Sequence, residues 1–366
     1  MKVKYSYLEE QFRDYPAIFA KIARVVETGD YTLGRAVAEF EEKFAALLGA
    51  KYAVGVNSGT DALFLSLKAL GVGPGDEVIT TPNTFIATVG AIVAAGARPV
   101  FVDVTDEYVM DPDLIEGAIT PRTRALMPVH YAGVPGDLDR ILALAQSRGL
   151  PVVEDACQAI GAAFHGRCAG TFGITGAFSL HPLKNLNVWG DAGIIVTDDR
   201  DLRDRLALLR NHGLRNRDEV DLFGYNSRLD TVQAVVGLHL LQDFDRITAT
   251  RIKWANRLDE ALSRLSPRVT VPARRPHKRY VHHLYMVQAQ DRDQLLTFLQ
   301  ARGIEAKVHY PIPLHLQRAS AHLGYQAGDF PVAETQARSI ITLPVHQHLS
   351  EEQVDYMIEM IREFYR

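Results

Sequence analysis

The chain has 366 residues, of which 47% are hydrophobic and 23% charged, a composition that is ordinary for a globular protein with a large core. Its formal net charge of -4 excludes the basic surface that is typical of nucleic-acid-binding proteins. No stretch of about 18 uncharged apolar residues occurs, so we expect no membrane-spanning helix. Residues 1–10 lack the apolar core of a signal peptide, and Cys157 and Cys168 lack metal or redox spacing, so we expect a cytoplasmic protein.

Strand and helix patterns alternate through the first half of the chain. Helical patterns are predicted at about residues 15–28, 37–48, 61–70, 85–95, 111–119 and 138–148. Extended patterns are predicted at residues 52–57, 77–81, 98–103, 124–130 and 151–155. Such alternation is typical of βαβ units, so we expect a mainly parallel sheet with both faces covered.

The second half of the chain changes character after two more extended runs, at residues 176–181 and 193–197. A long helical region is predicted at residues 229–265, with a possible break near Asp245. Further predictions are strands at 285–290 and 305–310, a helix at 294–301, and a final helix that opens with a capping box at Ser350. We therefore predict a large α/β domain at residues 1–245, including the N-terminal segment, and a smaller α+β domain at residues 246–366.

Lys184 lies between the two extended runs, with apolar residues on both sides and glycines after it. Burial disfavours an ammonium ion, so it lowers the pKa of a lysine and makes the amine nucleophilic. A Schiff-base enzyme needs such an amine. Taken alone, a lysine in this position is more often an exposed loop residue.

A second candidate site is the segment Asn57-Ser-Gly59-Thr60-Asp-Ala, where a strand gives way to a helix. Glycine allows a close approach of the backbone to an anion, and the free N–H groups of a helix start bind phosphate. Thr60 adds a hydroxyl donor. The alternative is an ordinary helix N-cap by Ser58 or Thr60.

Four further residues lie at or near the ends of predicted strands, and each has two possible roles. Asp155 ends an apolar strand, where it either caps or binds a metal, or pairs with a ligand cation such as a protonated pyridine nitrogen. Gln158, three residues on, could face the same ligand. Phe85 could stack on a flat heteroaromatic ring, although core packing is the commoner fate of a phenylalanine. Ser179 is either a phosphate donor or a satisfied sheet hydroxyl.

These features together describe a pyridoxal phosphate site, and the chain resembles the sugar aminotransferases of the DegT/DnrJ/EryC1/StrS family. That family has the aspartate aminotransferase fold, an α/β fold known as fold type I. The resemblance extends from Tyr31 to the C-terminal helix. Its anchors are residues 58–62 (SGTDA), 81–88 (TPNTFIAT), 129–133 (VHYAG), 154–158 (EDACQ), 178–185 (FSLHPLKN) and 224–230 (GYNSRLD).

The resemblance implies a role for each cofactor-binding residue. Lys184 would form the internal aldimine with pyridoxal 5'-phosphate and would later move the proton between the substrate carbon and the cofactor. Asp155 would pair with the pyridine nitrogen, Phe85 would lie on the ring, and Gln158 would bind its phenolic oxygen. The phosphate would be held by Gly59, Thr60, Ser179 and, from the neighbouring subunit of a homodimer, Asn226.

The implied reaction is transfer of an amino group, with L-glutamate as donor, to a keto sugar that is nucleotide-linked or a sugar phosphate. In the segment 307–315, His309, Tyr310 and His315 would touch the sugar, although histidines around a Pro-Ile-Pro turn are often surface or interface residues. Ala192 replaces a glycine of the family pattern. Together with His181 and residues 186–189, it favours a keto sugar other than the usual deoxy nucleotide sugars.

Two other functions compete with transamination. Some relatives are sugar dehydratases with histidine at the lysine position, and Lys184 argues against that chemistry. A regulator or scaffold with the same fold would not need the set of Lys184, Asp155, Gln158 and Ser179. Two histidine pairs have no matching acid or cysteine spacing, so we expect structural histidines and no metal site; these are His282 with His283, and His346 with His348.

Overall fold

The computed structural model describes residues 1–366. Its helices are α1 (Leu8–Gln11), α2 (Tyr15–Thr28), α3 (Arg35–Leu48), α4 (Gly59–Ala69), α5 (Ile86–Ala94), α6 (Pro112–Ala118), α7 (Leu138–Arg148), α8 (Arg200–Leu209), α9 (Thr231–Leu241), α10 (Phe244–Leu262), α11 (Arg292–Ala301), α12 (Pro331–Ser339) and α13 (Glu351–Phe364). Its strands are β1 (Tyr52–Val56), β2 (Glu77–Thr80), β3 (Arg98–Phe101), β4 (Thr123–Leu126), β5 (Val153–Asp155), β6 (Ala163–Phe164), β7 (Arg167–Cys168), β8 (Thr175–Ser179), β9 (Gly193–Thr197), β10 (Val269–Thr270), β11 (Lys278–Arg279), β12 (Tyr285–Ala289) and β13 (Ile340–Leu343).

The central sheet has the strand order β1-β9-β8-β5 in one part and β3-β2-β4 in the other. Parallel bridges from Leu126 to Val152 and from Val129 to Asp155 join β4 to β5, so the two parts are continuous. Strands β5 and β8 are parallel, as are β2 and its two neighbours. Strand β9 runs opposite to the other strands of the sheet, and it pairs antiparallel with β1 and with β8. The sheet is therefore mainly parallel, as predicted.

Both faces of this sheet are buried, because successive residues of a strand point to opposite sides. Ile194 of β9 belongs to a cluster that also contains Phe40 of α3, and the next residue, Ile195, belongs to a different cluster with Leu63 of α4. Helices α3 and α9 cover the first face, and α4, α5 and α8 cover the second. This explains the continuous apolar runs that the strands show in the sequence.

A second, smaller sheet contains β10, β12 and β13, all antiparallel. Its core of 24 buried residues includes Trp254, Met357 and, from the other end of the chain, Val3. Val3 pairs with Ile304 in a parallel bridge. Helix α10 contributes to both cores, since its first turn packs with the central sheet and its later turns pack with the small one. The division at residues 245 and 246 stays a prediction.

Most of the predicted elements are present, with ends shifted by a few residues. The long helical region is interrupted between α9 and α10, close to the predicted break at Asp245. The Ser350 capping box is confirmed, since Ser350 and Gln353 bond reciprocally. The predicted strand at 305–310 is wrong, because only Lys307 pairs there, in a single bridge to Thr342. None of the helices is long and apolar enough to cross a membrane.

Candidate active site

A pocket of about 320 Å³ opens beside the carboxyl ends of β5 and β8, between the central sheet and residues 283–310. Polar side chains at such strand ends are the usual ligand-binding groups of open α/β sheets. The pocket is lined by most of the residues that the sequence singled out: Gly59, Thr60, Phe85, Asp155, Gln158, Ser179, Lys184, His309 and Tyr310. Asn226 and His315 do not line it.

Lys184 lies in the loop between β8 and β9, and its amine has no hydrogen-bond or salt-bridge partner. The loop is fixed through the backbone, because the Lys184 N–H donates to the carbonyl of His181 at 2.8 Å. Its own carbonyl accepts a hydrogen bond from the phenol of Tyr7 at 3.1 Å. Burial lowers the pKa of Lys184, and the nearby Cys157 and Asp155 oppose that shift. The structure thus presents an unpaired amine with a lowered pKa to the pocket.

Asp155 is the last residue of β5, and its carboxylate is held by two donors. The Thr88 hydroxyl donates to Oδ2 at 2.7 Å, and the backbone N–H of Cys157 donates to Oδ1 at 3.1 Å. Thr84 lies 2.8 Å from Thr88, oxygen to oxygen. A carboxylate offers about four acceptor positions, so Asp155 keeps capacity for a cation in the pocket.

The threonine pair was missed by the sequence analysis as a functional feature. Both residues lie in the segment 81–88 that carries the family resemblance. Thr84 precedes Phe85, the N-cap of α5, and Thr88 lies in the first turn of the helix. The local sequence held no signal that links them to Asp155, and only the fold shows this contact.

The start of α4 is a capped helix end that also lies beside the pocket. Ser58 caps the helix, since its hydroxyl accepts from the N–H of Asp61 at 3.0 Å. Gly59 and Thr60 meanwhile line the pocket. A Cβ at Gly59 would lie 2.7 Å from the Cβ of Ser179, so only glycine allows this close packing of α4 on β8. The N–H groups of the first helical turn lack intrahelical acceptors and can bind an anion.

Gln158 and Phe85 lie at the sides of the pocket. The Gln158 Oε1 atom accepts from the backbone N–H of Ala132 at 2.7 Å, which fixes the amide and leaves its NH₂ group for a ligand. The Phe85 side chain is 48% exposed, and its ring lies 6.0 Å from that of Tyr310. An aromatic ring so exposed beside a pocket is suited to stack on a flat ligand.

Three histidines line the pocket: His181, His283 and His309. Burial and the positive charges of Lys307 and Lys184 lower the pKa of His309 to about 4. Burial, with Lys184 adding to it, holds the pKa of His283 well below its usual value. His283 was interpreted as structural, yet its Nδ1 is buried without a partner in the pocket wall. The sequence held no signal that separates it from its neighbour His282.

The two remaining predicted residues lie elsewhere. Asn226 lines a separate cleft with Asn57 and Arg228. His315 is 2% exposed, and its Nε2 lies 3.1 Å from the Glu334 carboxylate. His315 is thus held away from the pocket of its own chain, and its contact with the sugar stays a prediction.

Comparison with known proteins agrees with the family resemblance seen in the sequence. The sequence profile of the DegT/DnrJ/EryC1/StrS aminotransferase family matches residues 14–362. The chain is 44% identical over 346 residues to a dTDP-3-amino-3,4,6-trideoxy-alpha-D-glucose transaminase of Streptomyces venezuelae, covering 94% of this chain and 91% of that protein. It is 41% identical over 372 residues to a pleiotropic regulatory protein of Geobacillus stearothermophilus, covering 100% and 99%.

Among solved structures, the fold is similar to NtdA from Bacillus subtilis with bound cofactor PMP. The TM-score is 0.93 at 31% identity, covering 99% of this chain and 85% of that one. This similarity confirms the predicted aspartate aminotransferase-like α/β fold.

Proposed function

The chain belongs to the DegT/DnrJ/EryC1/StrS aminotransferase family, and we propose that it transfers an amino group from L-glutamate to a nucleotide-linked keto sugar with pyridoxal 5'-phosphate as cofactor. That the chain is a sugar aminotransferase follows from its family and from the named transaminases among its relatives. The donor, the sugar and its carrier are the proposed part. The observation that carries the proposal is the unpaired amine of Lys184 in the same pocket as the Asp155 carboxylate.

The residues present fit pyridoxal phosphate. The helix start at Gly59 and Thr60, with the Ser179 hydroxyl, supplies donors for a phosphate where no side chain at position 59 could fit. Phe85 offers an exposed ring face, and Asp155 offers a fixed carboxylate for a protonated ring nitrogen. These groups share one pocket, so a single flat phosphorylated ring can satisfy all of them.

Each of these residues then has a chemical task. The bound cofactor supplies an electron sink for the negative charge that develops at the reacting carbon of the substrate. Asp155 would hold the ring nitrogen in its protonated form, which strengthens that sink. Lys184 would hold the cofactor before the amino substrate binds. Once released, its Nζ, whose pKa burial lowers, would accept the proton from the substrate carbon and return it. Gln158 orients the ring through its free NH₂ group.

We propose further that the active unit is a homodimer in which Asn226 of the partner subunit completes the phosphate site. Asn226 lies in a cleft separate from the Lys184 pocket of its own chain. The adjoining loop carries large apolar side chains in solvent, with Phe223 97% and Val220 54% exposed. Exposed apolar groups next to each other favour burial against another chain.

The sequence-based preference for a keto sugar outside the usual deoxy nucleotide sugars stays a prediction, because the relatives are named for different sugars. The transaminase of Streptomyces venezuelae is named for a deoxy sugar on dTDP. We therefore place a nucleotide-linked keto sugar first and keep a simple sugar phosphate as the alternative.

A regulatory function is the second candidate, because the Geobacillus stearothermophilus relative covers the whole chain and is named as a regulatory protein. The intact amine, carboxylate and helix start of the pocket favour catalysis, since a regulator requires none of them. A dehydratase is less compatible with Lys184, which supplies an amine rather than an imidazole at the reacting position.

The deciding experiment is an assay of the cofactor-loaded protein with L-glutamate and a panel of dTDP- and UDP-linked keto sugars, in which release of 2-oxoglutarate is followed. We expect turnover with at least one sugar and none with Lys184→Ala. A protein that binds the cofactor but transfers no amino group to any sugar of the panel would favour the regulatory function.

A further inference from the structure

The outer wall of the pocket is formed by Tyr5 and by the segment that carries Lys307 and His309. Tyr5 is fixed to this segment, because its backbone N–H donates to the Glu305 carboxylate at 2.9 Å. The rings of Tyr5 and His309 stack with 5.7 Å between their centroids and 27° between their planes. Residues from the N-terminal segment and from the C-terminal part of the chain thus pack together to form the mouth of the pocket.

Lys307 carries the charge of this wall. Its Nζ lies 4.6 Å from the centroid of the Tyr5 ring, and both residues line the pocket. The Lys307 N–H donates to the carbonyl of Thr342 at 3.0 Å, and the Lys307 carbonyl accepts from the N–H of Thr342 at 2.8 Å. No carboxylate lies within 4.0 Å of the ammonium group, whereas the nearby Glu305 is taken by Lys2, at 3.7 Å, and by Tyr5.

The other groups of the pocket leave Lys307 without a counter-charge. The acids that line the pocket are Asp155 and Asp191. Asp155 is held by Thr88 and the N–H of Cys157, and neither acid forms a salt bridge with Lys307. The same pocket is lined by His309 and by Tyr5 and Tyr310, whose phenols can donate hydrogen bonds. A cation among neutral donors forms a subsite for an anion.

We propose that Lys307 binds an anionic group of a substrate at the pocket mouth, either a phosphate of the sugar carrier or a carboxylate of the amino donor. The inference rests on the proposed function for the identity of the substrates. Lys307 is exposed, so the pair is partly screened by water, and its loss should weaken binding by about fivefold rather than by orders of magnitude.

The kinetic test compares Lys307→Met with wild type while L-glutamate and the keto sugar nucleotide are varied in turn. We expect the KM for one of them to rise by about fivefold, with kcat changed by less than about twofold. Lys307→Arg should restore most of the affinity, since it keeps the charge. A higher KM for the sugar assigns the phosphate, and a higher KM for glutamate assigns the carboxylate.

A matched control is Lys253→Met. Lys253 is also exposed and also lies on an aromatic ring, 4.3 Å from the centroid of Trp254, but it is outside the pocket. Its loss should leave both KM values unchanged. Equal KM values in wild type, Lys307→Met and Lys253→Met would overturn the proposal.

Calorimetric titration separates this inference from the proposed function. Wild type and Lys307→Met, loaded with cofactor, are titrated with dTDP, UDP and L-glutamate at low and moderate salt. We expect at least one to bind about fivefold more weakly to the variant, with a smaller salt dependence. Failure of turnover in wild type would reject the proposed function alone, whereas identical titrations of the two proteins would reject the role of Lys307.

Discussion

The phenol of Tyr7 donates a hydrogen bond to the backbone carbonyl of Lys184, with 3.1 Å between the two oxygens. The same phenol accepts a hydrogen bond from Arg251 at 2.8 Å. Arg251 is 1% exposed and has no carboxylate partner; its other hydrogen bonds go to Gln347 and to the carbonyls of His282 and Val345. The N-terminal segment therefore connects a buried guanidinium to the backbone of Lys184.

Tyr7→Phe removes the hydroxyl that joins Arg251 to the Lys184 carbonyl. Both groups lose a buried partner, so we expect the free energy of unfolding to fall by about 1–3 kcal/mol in urea titrations. Because the Lys184 loop loses an anchor, kcat should fall by roughly tenfold.

Tyr365→Phe is the control for this effect. Tyr365 is 8% exposed and donates to the carbonyl of Gln290 at 2.6 Å, outside the pocket. The Tyr365→Phe variant should show a similar fall in the free energy of unfolding and keep the wild-type kcat. A Tyr7→Phe enzyme with wild-type kcat would show that the Lys184 loop does not depend on this bond.

Thr88→Val keeps the shape of the side chain and removes the donor to Asp155 Oδ2. A hydrogen bond to a charged group contributes about 1.5–3 kcal/mol, so we expect kcat/KM to fall by roughly tenfold or more. Thr88→Ser retains the hydroxyl and should recover most of the activity. Thr248→Val is the matched control, because Thr248 is fully buried and its hydroxyl has no partner. Equal losses in Thr88→Val and Thr88→Ser would contradict the role of the hydroxyl.

Mixing variants of Lys184 and Asn226 tests the proposal that two subunits share an active site. In a dimer of Lys184→Ala with Asn226→Ala, one site carries both defects and the other has an intact Lys184 and an intact Asn226. We expect activity to return when the two proteins are unfolded together and refolded, at about a quarter of the wild-type value per chain if pairing is random. Absence of recovery, with mixed dimers shown to form, would place Asn226 outside the neighbouring site.

Stability should fall in acid because His346 is kept neutral in the fold. Burial lowers its pKa from 6.5 to about 4, with Arg251 and His348 adding to the shift. Below pH 6.5 the unfolded chain binds a proton that the folded chain does not, so stability falls as the pH drops from about 6.5 to about 4. This one residue should account for about 3 kcal/mol at pH 4.

The measurement is the free energy of unfolding at pH 7 and at pH 4.5 for wild type and His346→Gln. The difference between the two pH values should be smaller in the variant, since glutamine does not titrate. His322→Gln, which changes an exposed histidine, should keep the wild-type difference. An unchanged difference in His346→Gln would show that other groups cause the acid sensitivity.

The sequence predicts the parts of the fold that have local causes. The sheet strands are short apolar runs with turn residues between them, and α2 and α7 have clear amphipathic patterns. Asp155 could be singled out because it ends an apolar strand, where ligand-binding side chains of an open sheet lie. Lys184 could be singled out because apolar residues flank it between two extended runs.

Other residues of the site depend on contacts that are distant in sequence. Tyr7 is 177 positions from Lys184, and Thr88 is 67 positions from Asp155. Lys307 lies in a segment that was predicted as a strand, and its position beside Tyr5 requires the N-terminal residues to pair with the far end of the chain. No local pattern encodes such a pairing, so these roles appear only in three dimensions.

The wall made by Tyr5, Lys307 and His309 belongs to loops that pack beside the central sheet rather than within it. A combinatorial library limited to these three positions would therefore vary the entrance and leave Asp155 at the end of β5 and Lys184 in the β8–β9 loop untouched. Such a library is a compact starting point for redirecting the enzyme toward new amino sugars, because the reactive machinery is supplied by a different layer of the fold.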